Sequence, residues 1–195
     1  MSVDTCKEQM IYEIHNPKAY LTPDATADFS KVTFRQIGEN QVRAEHATTH
    51  GRPETLKVSV GYKDCFIGEG EISYGGSNCM ARAELAAEIL EKRIELTGIE
   101  LEEYRTDFIG CNSLYRDAIS KEIGSGTPCE VRLHAAGRTK DRKNAVLLAN
   151  EVEALYTNGP AGGGGAVKRV SEIVSVCSIF VPRDAVEAKV TLREV

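Results

Sequence analysis

The sequence has no run of apolar residues approaching the roughly 20 that a membrane-spanning helix requires. Its first residues lack the positively charged and then apolar order of a secretory signal peptide. The 24 basic residues are outnumbered by 29 acidic ones, and the net charge of −5 argues against non-specific binding to nucleic acid. We therefore expect a cytoplasmic protein with neither a membrane nor a nucleic-acid partner.

Motifs of several common catalytic and metal-binding classes are also missing. The six cysteines stand at least 14 positions apart, so the Cys-x-x-Cys pairs of zinc ribbons and thioredoxins are absent. There is no Gly-x-Ser-x-Gly nucleophile elbow, and no Gly-Lys-Ser/Thr ending of a nucleotide-binding P-loop. We expect no resident cofactor, and a divalent metal has no support beyond the paired carboxylates described below.

What is present is an ordinary globular composition, with 42% hydrophobic and 27% charged residues in 195 positions. Residues 1–30 lack periodicity and carry Pro17 and Pro23, which favours an extended N-terminal arm. Such an arm must lie across another part of the chain or across another chain. The remaining residues, 31–195, are predicted to form one domain.

Two segments show the spacing of apolar residues that is typical of amphipathic helices. Shorter apolar runs bounded by turn residues predict strands around them. This order predicts an α+β fold: a mixed, mostly antiparallel sheet with helices packed largely on one face, as a two-layer sandwich. The predicted helices cover 81–97, 112–123 and 139–156, and the predicted strands cover 32–37, 41–45, 56–62, 66–74, 104–111, 129–136, 167–182 and 186–195. Gly98 is predicted to end the first helix. In strand 129–136, alternation places Arg132 and His134 on the face opposite to Val131 and Leu133.

The densest glycine segment, residues 158–165, follows the second long helix and precedes a basic pair. Consecutive free backbone N–H groups can cradle an anion, although the C-terminal end of a helix carries partial negative charge. The alternative is a corner at which the backbone packs closely against its neighbours, as glycine permits. The candidate substrate- or anion-binding residues here are Asn158, Gly159, Gly162, Gly163, Gly164, Lys168 and Arg169.

Glu69 and Glu71 alternate with glycines in a predicted strand, so both carboxylates point to one face and stand roughly 6.5–7 Å apart. That separation suits general acid–base catalysis across a small substrate, or oxygen ligands for a hard cation. A solvated strand face is the simpler alternative. His15, ahead of Asn16 and Pro17, is a third catalytic candidate as a base, against a structural histidine held by hydrogen bonds.

Basic residues also gather at the predicted start of the second long helix, where they oppose the helix dipole. A bound anion would offset this repulsion and use the free N–H groups of the first turn, so Arg138 and Lys140 are candidate anion-binding residues. A solvated basic face is the alternative. About 26 Å of helix, at 1.5 Å per residue, separates this turn from the glycine segment, so one compact phosphate cannot contact both.

Five stretches spread along the chain form a recognisable set. They are Tyr12-Glu-Ile-His-Asn-Pro, Tyr20-Leu-Thr-Pro-Asp, Leu56-Lys-Val-Ser-Val-Gly-Tyr, Gly68-Glu-Gly-Glu-Ile-Ser-Tyr and Glu151-Val-Glu-Ala-Leu-Tyr-Thr-Asn-Gly-Pro-Ala-Gly-Gly-Gly-Gly. Together they resemble the acyclic terpene utilisation protein A family, over nearly the whole chain but only in the C-terminal part of that family's main domain. Asn16 departs from the family, which tends to have aspartate at this position.

The resemblance implies a role in the catabolism of acyclic terpenoids or branched acyl-CoA compounds, with a CoA thioester or small acid as ligand. It also implies a separately encoded larger subunit that carries the N-terminal portion and completes a site with this chain. A homo-oligomer is the other assembly expected. The alternative function is a non-catalytic assembly subunit that has no site of its own.

Overall fold

A computed structural model describes residues 1–12, 14–123, 126 and 128–193. Within these residues the chain forms four α-helices, nine strands and one 3₁₀ turn, and it divides into two compact units. The first unit comprises Met1–Gly61 and Val176–Val195, and the second comprises Tyr62–Ser175. The helices are α1 (Val3–Ile11), α2 (Cys79–Thr97), α3 (Arg116–Ile123) and α4 (Arg142–Asn158). The strands are β1 (Tyr20–Leu21), β2 (Thr26–Asp28), β3 (Thr33–Gly38), β4 (Gln41–Glu45), β5 (Thr48–Thr49), β6 (Thr55–Gly75), β7 (Glu103–Ile109), β8 (Glu130–Thr139) and β9 (Gly163–Pro182), and the 3₁₀ turn is Arg183–Ala185.

The second unit is built on a sheet whose described strands follow the order β7-β8-β6-β9. Strand β8 pairs antiparallel with both β7 and β6, so that Leu133 lies opposite Phe108 on one side and Ile72 on the other. The β1–β2, β2–β5 and β3–β4 ladders of the first unit are antiparallel too. Helices combined with antiparallel sheets confirm the predicted α+β class.

Helices α2 and α4 contact each other and both pack on one face of this sheet, against β8. Strand alternation selects that face, because Ile72, Tyr74 and Leu133 are fully buried while their chain neighbours point the other way. Glycine brings α4 close: a Cβ on Gly70 would lie 2.5 Å from the Cβ of Val152. The buried residues that the two helices add are Cys79, Ala83, Ala86, Ala87, Leu90, Ala145, Leu148, Ala149, Val152 and Leu155.

The ends of both long helices have identifiable caps. Gly98 follows α2 in the left-handed conformation (φ 65°), which ends the helix where the glycine was expected to end it. Asp141 caps the start of α4, because its side chain accepts a hydrogen bond from the backbone N–H of Lys143 over 2.8 Å. Helix α4 therefore begins at Arg142 rather than at 139, and residue 139 belongs to β8.

The first unit contains α1, the β3–β4 hairpin and a small sheet in the order β1-β2-β5. Among its described residues none is buried to the extent of the core residues in the second unit. The grouping of residues 31–61 with the N-terminus differs from the single domain predicted for 31–195. No helix within the described residues is both long and apolar enough to cross a membrane.

Two local predictions at the chain ends are wrong. Residues 3–11 are helical rather than extended, and a capping box starts the helix: the N–H of Thr5 donates to Oγ of Ser2 over 3.3 Å, and the N–H of Ser2 donates to Oγ1 of Thr5 over 3.0 Å. Residues 186–193 form no strand, since alternation alone does not make one without a neighbouring strand to pair with. Residues 194 and 195 of that predicted strand lie outside the described residues.

Candidate functional site

The sheet face of the second unit that lies opposite α2 and α4 carries charged side chains, and we call it the polar face. Asp107 on β7, His134 on β8 and Glu71 on β6 lie directly opposite one another in the two ladders. Their neighbours along each strand point towards the helices, so alternation sends these three side chains to the polar face. The polar face thus aligns residues that are distant in the sequence.

Five side chains form a continuous chain of contacts across the polar face, which we call the ionic row. His134 is its centre, with Nε2 3.5 Å from Oε1 of Glu69 and Nδ1 3.9 Å from Oδ2 of Asp107. An arginine pairs with each carboxylate: Nε of Arg105 lies 2.6 Å from Oδ2 of Asp107, and Nη2 of Arg169 donates to Oε2 of Glu69 over 2.7 Å. The ionic row therefore crosses the strands in the order β7-β8-β6-β9.

The centre of the ionic row is shielded from solvent, although not closed to it. Asp107 is only 8% exposed, and the side chains of His134 and Glu69 are each 22% exposed. Burying a carboxylate costs free energy unless a charged or hydrogen-bonding partner accompanies it, and the two arginines supply such partners. The imidazole, flanked by two neutralised carboxylates, remains the group that can both give and take a proton.

Glu71 has a different environment from Glu69, although the two were predicted to act together. Nε of Arg132 donates to Oε2 of Glu71, and the same guanidinium donates to Oγ of Ser73 over 2.8 Å and to the carbonyl of Gly165 over 3.2 Å. This clamp joins β6, β8 and β9. Glu71 is held by the arginine, whereas Glu69 contacts the imidazole, so the geometry favours Glu69 as the residue with a chemical role.

A cavity of about 310 Å³ opens beside Glu69 and Glu71 and is bounded by Val167, Lys168 and Arg169. Small-molecule sites commonly have volumes of about 300–1,000 Å³, so this cavity is at the lower end of that range. The structure therefore places the candidate catalytic carboxylates beside the basic pair that follows the glycine segment. From the sequence alone these were two separate candidate sites.

The glycine segment supports the close-packing alternative at three of its positions. A Cβ on Gly163 would lie 2.8 Å from Cδ1 of Ile72, and one on Gly159 would lie 2.6 Å from the carbonyl oxygen of Leu155. Gly162 has φ 81°, a backbone conformation that residues other than glycine rarely adopt. By contrast, a Cβ on Gly164 would meet no atom within 4 Å.

Arg82 of α2 holds the same segment in place, a role that the sequence did not suggest. Its Nη1 donates to the carbonyl of Ala161 over 2.9 Å, and its Nη2 donates to the carbonyl of Ser77 over 3.1 Å. The guanidinium also lies over the ring of Tyr74, with Cζ 5.9 Å from the ring centroid. Arg82 thus binds one carbonyl of the segment, and its Nη2 also donates to the carbonyl of Gly75 over 2.5 Å. The side chain of Asn158 accepts a hydrogen bond from the hydroxyl of Thr157 over 3.4 Å.

The remaining basic candidates all have carboxylate partners within the chain. Nζ of Lys168 donates to Oδ1 of Asn150 over 3.0 Å and also contacts Oε2 of Glu153 on α4. A ligand that used Lys168 would have to compete with Glu153. The same competition applies to Arg169, which Glu69 already holds.

The prediction that Arg138 and Lys140 lie at a helix start is wrong, because α4 begins after them, at Arg142. Both contact Oδ1 of Asp64, Arg138 through Nη2 over 2.7 Å and Lys140 through Nζ over 3.1 Å. The hydroxyl of Ser175 donates to the other carboxylate oxygen over 2.6 Å. The hydrogen bonds from Ser175, Lys140 and Arg138 lower the pKa of Asp64 to about 2. An internal carboxylate therefore stands where the bound anion was expected.

His15 belongs to the first unit, whereas the carboxylates of the polar face belong to the second. It lines a separate cavity of about 380 Å³ together with Tyr20, Lys57, Ser178 and Phe180. The exposed histidine His50 of the same unit instead pairs with a carboxylate. Within the part of the chain that the structure describes, no group of three or more His, Cys, Asp or Glu side chains is arranged to hold a metal ion.

His134, Asp107 and Arg105 are the residues of the ionic row that sequence reasoning missed. Strand alternation did place His134 opposite to the apolar residues of its predicted strand, and so on a polar face. Nothing local indicated that it would lie beside Glu69, which is 65 positions away. That neighbourhood depends on the β6–β8 register, which brings Glu71 opposite His134.

No curated protein and no solved structure matches the chain. A family model does match it, over residues 1–192, and its description is acyclic terpene utilisation family protein AtuA. The match covers almost all of the 195 residues, including both compact units and every residue of the ionic row. The chain therefore belongs to the AtuA family of acyclic terpene utilisation proteins.

Proposed function

We propose that this protein acts in acyclic terpenoid catabolism and that the ionic row is an acid–base site for a CoA thioester or small acid. Membership of the acyclic terpene utilisation family supports the broad role. The observation that carries the reaction class is the imidazole of His134, placed between the carboxylates of Glu69 and Asp107. Histidine is the side chain that most often serves as a general acid or base in catalysis.

In the proposed reaction, Nε2 of His134 takes a proton from the carbon next to the thioester carbonyl. The C–H bond breaks, its electron pair moves towards the carbonyl oxygen, and the new N–H bond can later return the proton. Asp107, on the Nδ1 side, orients the ring and offsets the charge of the imidazolium that forms. Glu69, on the Nε2 side and next to the cavity, also orients the ring and offsets the charge of the imidazolium.

The carbonyl oxygen gains negative charge in this step, and a cation nearby would stabilise it. Arg169 bounds the cavity beside Glu69 and points to the polar face, so it is the group proposed to approach that oxygen. Arg169 is bonded to Glu69, so substrate binding would have to redirect it, whereas Lys168 points towards α4. We further propose that the separately encoded chain with the family's N-terminal portion covers the polar face and provides the remaining contacts.

Hydrogen–deuterium exchange at carbon tests the acid–base proposal directly. The protein, alone and with the co-expressed product of a neighbouring gene that encodes the N-terminal portion, is incubated with isovaleryl-CoA in deuterated water. Mass spectrometry then measures deuterium at the carbon next to the carbonyl. We expect exchange with the wild type and a rate at least about 100-fold lower for His134→Gln, which matches the usual contribution of a general base.

His50→Gln is the matched control for this experiment. It removes another histidine that contacts an aspartate, at 3.2 Å from Asp28, but in the first unit, and it should leave the exchange rate unchanged. Absence of exchange in both preparations would refute the acid–base proposal. Equal rates for the wild type and His134→Gln would remove His134 from it.

A second candidate, a non-catalytic assembly subunit, is favoured by the surface of the first unit. No described residue of that unit is buried like the core of the second, while Ile11, Tyr12 and Phe180 are 66%, 67% and 57% exposed. Large apolar side chains exposed together mark surfaces that bind other proteins. This candidate predicts co-purification with the neighbouring gene product together with no exchange activity, whereas the acid–base proposal requires activity.

A further inference from the structure

Strand β9 forms one edge of the second unit's sheet, and it is built unlike the other edge. The opposite edge, β7, is short and carries alternating charges such as Arg105 and Asp107. Strand β9 spans Gly163–Pro182, and its proline is the last residue. Edge strands are usually kept from pairing by being short, by proline or by charged side chains that project along the edge. Only β7 has this protection.

The charged residues of β9 are drawn away from the edge by ion pairs within the chain. Lys168 contacts Glu153 of α4, and Arg169 is bonded to Glu69 of β6. Meanwhile Val167 and Val174 are 55% and 61% exposed. The N–H of Ala166 donates to the hydroxyl of Tyr156 over 2.7 Å, so an added strand would replace this bond or pair beyond it. A long strand edge with exposed valines is a template for another strand.

We propose that two copies of this chain pair through β9, antiparallel, around a two-fold axis at Val170. In this register residue i of one copy lies opposite residue 340 − i of the other. Lys168 then lies opposite Glu172 of the second copy, and this pair occurs twice. Within the chain Lys168 contacts Glu153, and Nζ of Lys63 lies 2.9 Å from Oε1 of Glu172, so the charges across each pair would alternate in sign in the order Glu153, Lys168, Glu172, Lys63. Directly opposite residues share a face, and opposite charges in this arrangement stabilise strand pairing.

The same register also fits the apolar residues of the strand. Ala166, a small residue, lies opposite the exposed Val174, and Val167 lies opposite Ile173. Neighbouring registers fit worse, because axes centred on Lys168, Arg169 or Glu172 would place two like charges opposite each other. An axis at Ser171 would avoid that repulsion but would lose the Lys168–Glu172 pairs.

A second copy of the chain is the expected partner, rather than a different chain, because the complementary residues lie within a single strand. Closed two-fold dimers are the commonest assemblies of soluble proteins, and in them one surface patch must fit itself. The register has a consequence for the polar face as well. Ser171 of the second copy lies opposite Arg169, the arginine that holds Glu69, so each copy would supply a hydroxyl group at the end of its neighbour's ionic row.

Charge exchange on the full-length chain tests this arrangement. Size-exclusion chromatography with light scattering is performed over a range of concentrations for the wild type, Lys168→Glu, Glu172→Lys and the double variant. Each single variant places like charges opposite each other at two positions and should raise the dimer dissociation constant about tenfold or more. The double variant restores opposite charges and should recover the dimer. Lys143→Glu, an equal charge change at an exposed position of α4, should have no effect.

Circular dichroism shows whether each variant is folded, and amide hydrogen exchange of the wild type gives a test that needs no substitution. Protection of residues 166–174 should increase with protein concentration. A wild type that stays monomeric overturns the proposal. A dimer dissociation constant that is unchanged in both single variants, or that does not return towards the wild-type value in the double variant, also overturns it. Protection that appears only when the neighbouring gene product is added would also overturn it, in favour of a different partner strand.

Discussion

Gly70→Ala tests how closely α4 approaches the sheet. A Cβ at this position would lie 2.5 Å from Cβ of Val152 and 2.7 and 2.8 Å from its two methyl carbons. Favourable contacts between carbon atoms lie at about 3.5–4.0 Å, so either the helix or the strand must move by about 1 Å. Val152 is fully buried in the core.

The magnitude follows from two opposing effects. Overpacking a core typically costs about 1–3 kcal/mol, while replacing a strand glycine by alanine recovers about 0.5–1 kcal/mol of backbone entropy. We therefore expect Gly70→Ala to lower the free energy of unfolding by about 1–2 kcal/mol, which corresponds to a Tm lower by about 2–8 °C. Thermal and urea unfolding followed by circular dichroism measure both quantities.

A second substitution distinguishes this clash from a general weakness of the strand. Val152→Ala alone removes two buried methyl groups and should cost about 1.5–2.5 kcal/mol. In the double variant the new methyl group no longer meets the two methyl carbons of Val152 but still meets Cβ, which alanine retains. The two costs should therefore fall short of additivity by about 0.5–1 kcal/mol. Gly75→Ala, whose Cβ would meet only the carbonyl oxygen of Cys129 at 3.9 Å, is the control and should not destabilise the protein. Additive costs, or a neutral Gly70→Ala, would refute the close approach.

Three further predictions concern other contacts of the second unit. Arg82→Lys retains the charge but loses the planar group that binds three carbonyls, so we expect about 1–3 kcal/mol less stability by urea unfolding. An unchanged stability would show that these hydrogen bonds do not stabilise the protein. Gly162→Ala forces alanine to φ 81° against Nη1 of Arg82 and should lower Tm, an effect that Arg82→Ala should partly relieve. Asp64→Asn should reduce stability at about pH 7, where the carboxylate with its pKa near 2 is charged in both states, and the difference from wild type should disappear in melts as pH falls from about 4 to 2. A difference that persists at about pH 2 would show that the charge of Asp64 is not its cause.

The long helices were predicted well because their signals are local. Helix α2 runs over Cys79–Thr97 against a predicted 81–97, and Gly98 ends it as expected. Periodic apolar residues and a terminal glycine are properties of adjacent positions, so no knowledge of the rest of the chain is needed. Helix α4 begins at Arg142, three residues after the predicted start at 139, because strand β8 extends as far as Thr139.

The errors fall where a segment depends on something outside itself. Helix α1 buries no residue fully. Its partly buried Val3, Cys6 and Met10 stand at i, i+3 and i+7, a stripe of only three residues, and a capping box starts the helix. The predicted strand from Val186 alternates correctly, yet its described residues have no strand beside them. Alternation specifies which residues share a face, but a partner decides whether a strand forms.

The sequence predicts on which face of the sheet each site residue lies, but not which of these residues contact one another. Alternation placed Glu69 and Glu71 on one side of β6, and it placed His134 on the polar side of β8. Which carboxylate meets the imidazole depends on the pairing of strands that are 65 positions apart, and the sequence holds no local record of that register. The arginine partners, such as Arg105 and Arg132, could not be assigned for the same reason.

The alternating glycines and glutamates of β6 have one physical explanation that covers both faces of the sheet. On the helix side, Gly68 and Gly70 have no side chain because the backbone of Ala145 and the side chain of Val152 occupy that space. Close helix packing on that side fixes the strand, and the residues between the glycines must then point to the polar face. Glu69 is therefore held by the core as well as by its ion pairs, which leads us to expect that Gly70→Ala, by shifting β6 or α4, would slow the proposed proton transfer at His134 as well as lower stability.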